Sequence, residues 1–188
     1  MKYQELEYKY KADHITPGQF VDFVSNNFDI IDILTARGHD KFFSNGNPNM
    51  FMRYRNGSGL NDNCELTIKK KITEKNSWNR VEVDVPLNKN KIDAELVEVF
   101  ANILDFKYDF TILKLNYVIR TPGITFAYYI VNNKDSYLEI EANKGSFTNE
   151  DEAFEILHKA EKKLSELGIT YNNRTKKSLY EMYRGKNV

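Results

Sequence analysis

Six segments of this chain alternate polar or charged residues with apolar ones, and in five of them charges recur two residues apart. Glu5, Glu7 and Lys9 in ELEYK oppose Leu6 and Tyr8. Arg53 and Arg55 in FMRYR oppose Met52 and Tyr54. Glu65, Thr67, Lys69 and Lys71 oppose Leu66 and Ile68, and Arg80, Glu82 and Asp84 oppose Val81, Val83 and Val85. Lys114, Asn116 and Arg120 oppose Leu113, Leu115 and Ile119, and Glu139 and Glu141 oppose Leu138 and Ile140. Clustered carboxylates repel and raise each other's pKa unless a cation lies between them. Without a cysteine or histidine cluster, such acids suit a hard metal with oxygen ligands, Mg²⁺ or Mn²⁺. Paired arginines and lysines suit phosphate oxygens. Metal, phosphate and many cations together point to a polyphosphate ligand and to phosphoryl transfer, whose demands are positioning and charge stabilisation.

Residues must be carried by strands for these spacings to matter, because successive side chains on a strand face opposite ways. The patterns predict strands over 3–10, 51–55, 64–72, 80–87, 110–120, 124–131 and 137–143. Helices are expected after Thr16-Pro17-Gly18-Gln19, a capping-box start with Phe20, Phe23, Val24 and Phe28 behind it. Others are expected over 91–105 (Leu96, Val99, Phe100 and Ile103 at helical spacing), from the Thr148–Asp151 start to Gly168, and over 174–184. The class is α+β, with a sheet of mostly antiparallel neighbours. One charged strand face is ordinarily a solvated face whose ion pairs contribute little. Six of them, with helices covering the apolar sides from outside, predict a closed barrel with a charged lumen.

Composition bounds the partners. The 188 residues, 41% hydrophobic and 13% aromatic, suit one domain over 1–188 with a substantial core. Lys plus Arg and Asp plus Glu are 27 each, so the chain lacks the basic surplus of a general nucleic-acid binder. The single cysteine, Cys64, excludes an internal disulfide and a cysteine zinc cluster. With no apolar leader and no run of membrane-spanning length, the expectation is a cytoplasmic protein with no membrane partner. His14, His39, His158 and Trp78 carry no motif; packing or solvation accounts for them.

In order along the chain, these motifs resemble the CYTH, or triphosphate tunnel metalloenzyme, superfamily. Glu5-Leu6-Glu7-Tyr8-Lys9 matches its ExExK signature. HDKFF (39–43), Arg53/Arg55, the strand ending at Lys69, Arg80/Glu82/Asp84, Lys114, Glu139/Glu141 and the Arg174–Ser178 segment follow in family order. The resemblance implies a closed eight-stranded antiparallel β-barrel, a tunnel with helices packed outside, that binds a small-molecule triphosphate with Mg²⁺ or Mn²⁺. It assigns metal to Glu5, Glu7, Glu139 and Glu141. It assigns phosphates to Lys9, Arg53, Arg55, Lys69, Lys114 and Lys177, and a metal or the attacking water to Glu82 and Asp84, which with Lys9 are the catalytic candidates; Lys71, Arg80 and Arg120, on the same charged faces, join the phosphate candidates. The implied reaction is hydrolysis of inorganic, nucleoside or thiamine triphosphate. Cyclisation of ATP, an RNA 5′-triphosphatase and a non-catalytic nucleotide or polyphosphate binder stay open, as does a homodimer. The chain departs from the pattern at Asn116, where the basic strand often has a second cation, and over 124–131, which carry no acid. Tyr128 and Tyr129 on that strand are candidates to stack on a base.

Overall fold

The computed structural model describes residues 4–59, 64–71, 80–88 and 94–186; the side chains of residues 4, 5, 58, 59, 80 and 94, and Trp78 altogether, lie outside that description. The described elements are β1 (Gln4–Glu5), β2 (Glu7–Lys11), α1 (Pro17–Asn27), β3 (Asp32–Ser44), β4 (Met50–Gly59), β5 (Cys64–Lys71) and β6 (Arg80–Leu87). After them come α2 (Ala94–Ile103), β7 (Lys107–Arg120), β8 (Ile124–Val131), β9 (Asp135–Ala142), α3 (Glu150–Leu164) and α4 (Leu179–Tyr183). This is the α+β class the patterns predict. The expected first strand is two strands rather than one, because pairing changes at Leu6. Gln4 and Glu5 pair with β6, whereas Glu7–Lys11 pair with β9. Leu6 itself is buried, and its carbonyl accepts from the Ala142 amide at 3.1 Å.

The chain folds as two compact units. The first comprises Met1–Glu5, Ala36–Lys114 and Lys177–Val188. Its strands run in the order β1-β6-β5-β4-β3-β7, antiparallel from β1 to β3. Closing a sheet into a barrel requires its end strands to pair. Within this unit's order the ends do not, so the described sheet of this unit is open and is not the closed barrel expected from the sequence. One face carries the charges. On the other, Phe43, Met52, Tyr54, Cys64 and Leu66 form a core with Val97 and Ala101 of α2 and with Phe106. Gly38 lies opposite Gly57 because the strands approach closely there; a Cβ at Gly38 would sit 2.6 Å from the Asn56 carbonyl oxygen.

The second unit comprises Leu6–Thr35 and Leu115–Lys176. Its strands run β7-β8-β9-β2, with β8, β9 and β2 antiparallel. Tyr8, Tyr10, Leu138, Ile140, Phe126 and Tyr128 are buried on the side opposite the charges, together with Phe20 and Val24 of α1 and Ala153, Leu157, Ala160 and Leu164 of α3. Thr16 caps α1 through the expected box with Gln19. Phe23 and Phe28 are only partly buried. The α3 cap is Asn149, one residue beyond the expected Thr148, whose hydroxyl instead bonds the Glu152 carboxylate. Gly168, at φ 73°, ends the helical run as predicted.

Candidate functional site

Strand register builds the charged cluster of the first unit. Arg53 lies opposite Thr67, Arg55 opposite Glu65, Lys69 opposite Glu82 and Thr67 opposite Asp84. Directly opposed residues of an antiparallel pair have neighbouring side chains, so these charges must meet. Arg53 Nη2 donates to Glu65 Oε1 at 3.0 Å and to Thr67 Oγ1 at 2.8 Å, and lies 3.6 Å from Glu82 Oε1. Lys69 Nζ is 2.7 Å from Glu82 Oε2, and Thr67 donates to Asp84 at 2.7 Å. Arg53 Nε is buried without a hydrogen-bond partner among the described residues. Lysines are seldom buried unless paired; Lys69, 8% exposed, has Glu82 as its partner, and Lys114 is 6% exposed.

A residue the motifs did not single out, Asp40, anchors this cluster. Arg55 grips it with two bonds, Nε to Oδ1 at 2.9 Å and Nη2 to Oδ2 at 3.0 Å. Burial alone would raise the Asp40 carboxyl; the charges of Arg55, Lys114 and Arg53 outweigh burial and hold it well below the usual carboxylate range. At one end of the charged face the lining turns aromatic. Phe42 and Phe110 stack at 4.9 Å, and Phe51 and Tyr180 at 4.8 Å. Tyr180 belongs to α4, whose cap Ser178 bonds the Glu181 carboxylate. That carboxylate lies 3.5 Å from Lys71 Nζ.

The second unit carries its own cluster. On β2 and β9, Glu7 lies opposite Glu141 and Lys9 opposite Glu139. Lys9, 5% exposed, places Nζ 2.8 Å from Glu139 Oε1 and 3.7 Å from Glu7 Oε1. Tyr129 of β8 donates to the same Glu139 oxygen at 2.8 Å. Burial, then the charge and hydrogen bond of Glu139, push the Tyr129 phenol well above its ordinary value, so it stays a donor.

The remaining candidates divide. Arg120 is half exposed and pairs with Asp32 at 3.1 Å, which directs its charge to that partner. Lys177 is exposed. Arg174 forks onto Glu161, with Nε at 2.6 Å, and lies 3.6 Å over the Tyr8 ring on the apolar side of β2. Tyr128 and Tyr129 are not a base-stacking platform. Tyr128 bonds the Ile15 carbonyl and packs on Phe20, while Tyr129 packs on Tyr137 and bonds Glu139. The side chains of Glu5 and Arg80 lie outside the described residues.

Among the described residues no group of three or more His, Cys, Asp or Glu side chains converges on a metal position. Like charges directly opposed across two strands are unfavourable without a cation between them, and Glu7 and Glu141 are so opposed. Mg²⁺ is commonly held by one or two carboxylates, with phosphate oxygens and water completing its shell. Lys9 Nζ, 3.7 Å from Glu7 Oε1, is the cation beside this pair, and Glu7 and Glu141 are the acids that would hold such a metal ion.

No family model and no curated protein sequence matches the chain. Solved structures do. The PH1819 protein of Pyrococcus horikoshii OT3 is 22% identical, with a TM-score of 0.71 over 95% of this chain and 97% of that one. A Vibrio parahaemolyticus structure described as a "putative adenylate cyclase" is 9% identical, with a TM-score of 0.72 over 96% and 97%. A Bacillus halodurans structure of the same description is 15% identical, with a TM-score of 0.55 over 95% and 96%. The chain has their fold. At these identities the likeness is one of fold. Among the described residues no helix is long and apolar enough to cross a membrane.

Proposed function

We propose that this chain binds a triphosphate together with Mg²⁺ or Mn²⁺ and hydrolyses it. The observation that carries this reading is the burial of Lys9, Lys69 and Lys114 on the charged faces. Buried ammonium groups are costly, and a charged ligand is one reason to retain them. Arg53, Arg55, Lys69 and Lys114 take phosphate oxygens, with Arg53 Nε a donor already in place for one of them. Lys71, Arg80 and Lys177 are assigned to phosphate and Glu5 to metal without a contact that supports it, whereas Arg120 is held by Asp32 and Glu139 by Lys9 and Tyr129.

Charge arithmetic supports the metal. Arg53, Arg55, Lys69 and Lys114 share their cluster with Asp40, Glu65, Glu82 and Asp84, equal numbers of each sign. A cluster neutral in itself has no electrostatic surplus for a bare, highly charged anion. A divalent cation, once bound, offsets that charge and polarises the phosphoryl oxygens. Glu82, released from Lys69 as that lysine turns to phosphate, is placed with Asp84 to orient the attacking water. Lys9 is assigned to charge on the transferred group by the resemblance alone.

The fold shared with two structures described as "putative adenylate cyclase" favours one second reading, attack by the ribose hydroxyl on the α-phosphate of ATP. Purified protein incubated with tripolyphosphate, ATP, GTP and thiamine triphosphate distinguishes the two. Metal-dependent phosphate release, silent with chelator, is expected. Cyclic AMP with pyrophosphate would transfer the chain to the cyclases. Tight binding without product would make it a receptor.

A further inference from the structure

Lys9 is held from both faces of β2. On the charged face its ammonium lies 2.8 Å from Glu139. Its neighbours Tyr8 and Tyr10 project to the opposite side, where both are buried. Arg174 lies there too, its guanidinium 3.6 Å over the Tyr8 ring and 4.9 Å from the Tyr171 ring. It forks onto the Glu161 carboxylate of α3, and the Tyr10 hydroxyl donates to the same carboxylate at 3.1 Å. The Arg174 and Glu161 side chains are only 7% and 14% exposed. Along the edge of β2 away from β9, Arg174 pairs with Tyr10, and the Thr175 amide donates to the Lys9 carbonyl at 2.8 Å.

We propose that Arg174 is a positioning residue for Lys9, acting from the apolar side of the sheet. A bridge of two residues is weak in isolation, because ordering them costs more than one hydrogen bond returns. The fork onto Glu161 and the stack on Tyr8 hold the 174–175 segment to β2. The Lys9 backbone is thereby fixed at its own carbonyl and at the side chain on either side of it. Misplacing a group that meets substrate by about 1 Å can cost about a hundredfold in rate. Stability alone is a poor reason for the ion pair, since apolar residues of similar volume often serve as well; its distinct use is to fix register. The residue must also be arginine, because a planar guanidinium can fork onto a carboxylate and lie on a ring at once, which an ammonium cannot. The part Lys9 plays toward a triphosphate rests on the function proposed above; its placement by Arg174 does not.

Nitrogen-15 NMR of the lysine ammonium groups in the full chain reads that placement without substrate. The Lys9 signal, assigned by its loss in Lys9→Ala, is expected to shift or broaden in Arg174→Lys. The signal of Lys69, whose partner is Glu82, is expected to stay where it is. Arg174→Met with Glu161→Gln, which strands no buried carboxylate, is expected to do the same and serves should Arg174→Lys not fold. Kinetics with tripolyphosphate and Mn²⁺ read the consequence. Arg174→Lys is expected to lower kcat/KM about tenfold in the wild-type background but less than about twofold in Lys9→Ala, the non-additivity of residues that act through one another. A tether for the end of the chain and nothing more would leave the Lys9 signal in place and give the same kinetic loss in both backgrounds. Either result overturns the inference. Wild-type protein inactive on every triphosphate would count against the proposed reaction, and the ammonium signal would then decide the placement by itself.

Discussion

Lys9 Nζ and the Tyr129 hydroxyl both donate to one oxygen of Glu139, each at 2.8 Å. The acid is therefore the seat of the lysine, and the tyrosine fixes the seat. For Lys9 to meet a phosphate it must share or leave that oxygen. Tyr129→Phe removes one hydrogen bond to a charged acceptor, about 1.5–3 kcal/mol in its own right and less in effect because Lys9 remains. The expected result is a several-fold rise in KM for triphosphate with kcat changed less. Because the phenol stays protonated throughout, the pH–rate profile between about 6 and 9 should keep its shape. A shifted limb would mean that Tyr129 titrates during turnover.

Lys9→Ala and Arg53→Ala should each lower kcat/KM by roughly a hundredfold, the order expected for losing one charge contact to the transition state. Arg53→Ala also strands Glu65 and Glu82, so chemical denaturation must accompany the kinetics. Wild-type turnover in both variants would remove them from the site.

Asp40 and Arg55 form a buried pair whose stability effect has a defined pH sign. The folded carboxyl titrates below its unfolded value of 3.8. Its contribution is thus present above about pH 4 and is lost as pH falls toward the folded pKa. Asp40→Asn should destabilise by about 2–3 kcal/mol at pH 7, at the low end for a broken buried pair because Arg55 is partly exposed. Urea melts should show the gap between wild type and variant narrowing below pH 4. A constant gap would assign the loss to packing.

What could be read from the sequence, and what could not, follows from range. The capping box at Thr16 and Gln19 and the alternation of Arg53 and Arg55 are local, and both hold. The break at Leu6 is invisible locally, because it arises from which distant strand each half pairs with. Asp40 was missed for a similar reason. Its signal is the cross-strand register that sets it opposite Arg55, and sequence fixes register only through the pairing. The α2 stripe misled in another way: Leu96, Val99, Phe100 and Ile103 are exposed, whereas Val97 and Ala101 are buried. Helical spacing shows that an apolar face exists; it does not say whether the sheet covers it.

The two acids of β9 should separate by role. Glu141 opposes Glu7, whereas Glu139 is occupied by Lys9 and Tyr129. Removing a carboxylate that helps hold Mn²⁺ should raise the metal concentration needed for half-maximal effect. Removing the seat of Lys9 should chiefly alter triphosphate affinity. Titration of Mn²⁺ into protein with tripolyphosphate, followed by the electron paramagnetic resonance of the ion, reads the metal without relying on turnover. Glu7→Gln and Glu141→Gln are expected to weaken the bound signal about tenfold, an effect of the size seen when groups that tune a metal site are lost. Glu139→Gln is expected to leave it within about twofold while the affinity for tripolyphosphate alone, measured in chelator, changes through Lys9. Equal weakening by Glu139→Gln and Glu141→Gln would place both acids on the metal, and Lys9 would then need another counter-ion in the loaded site.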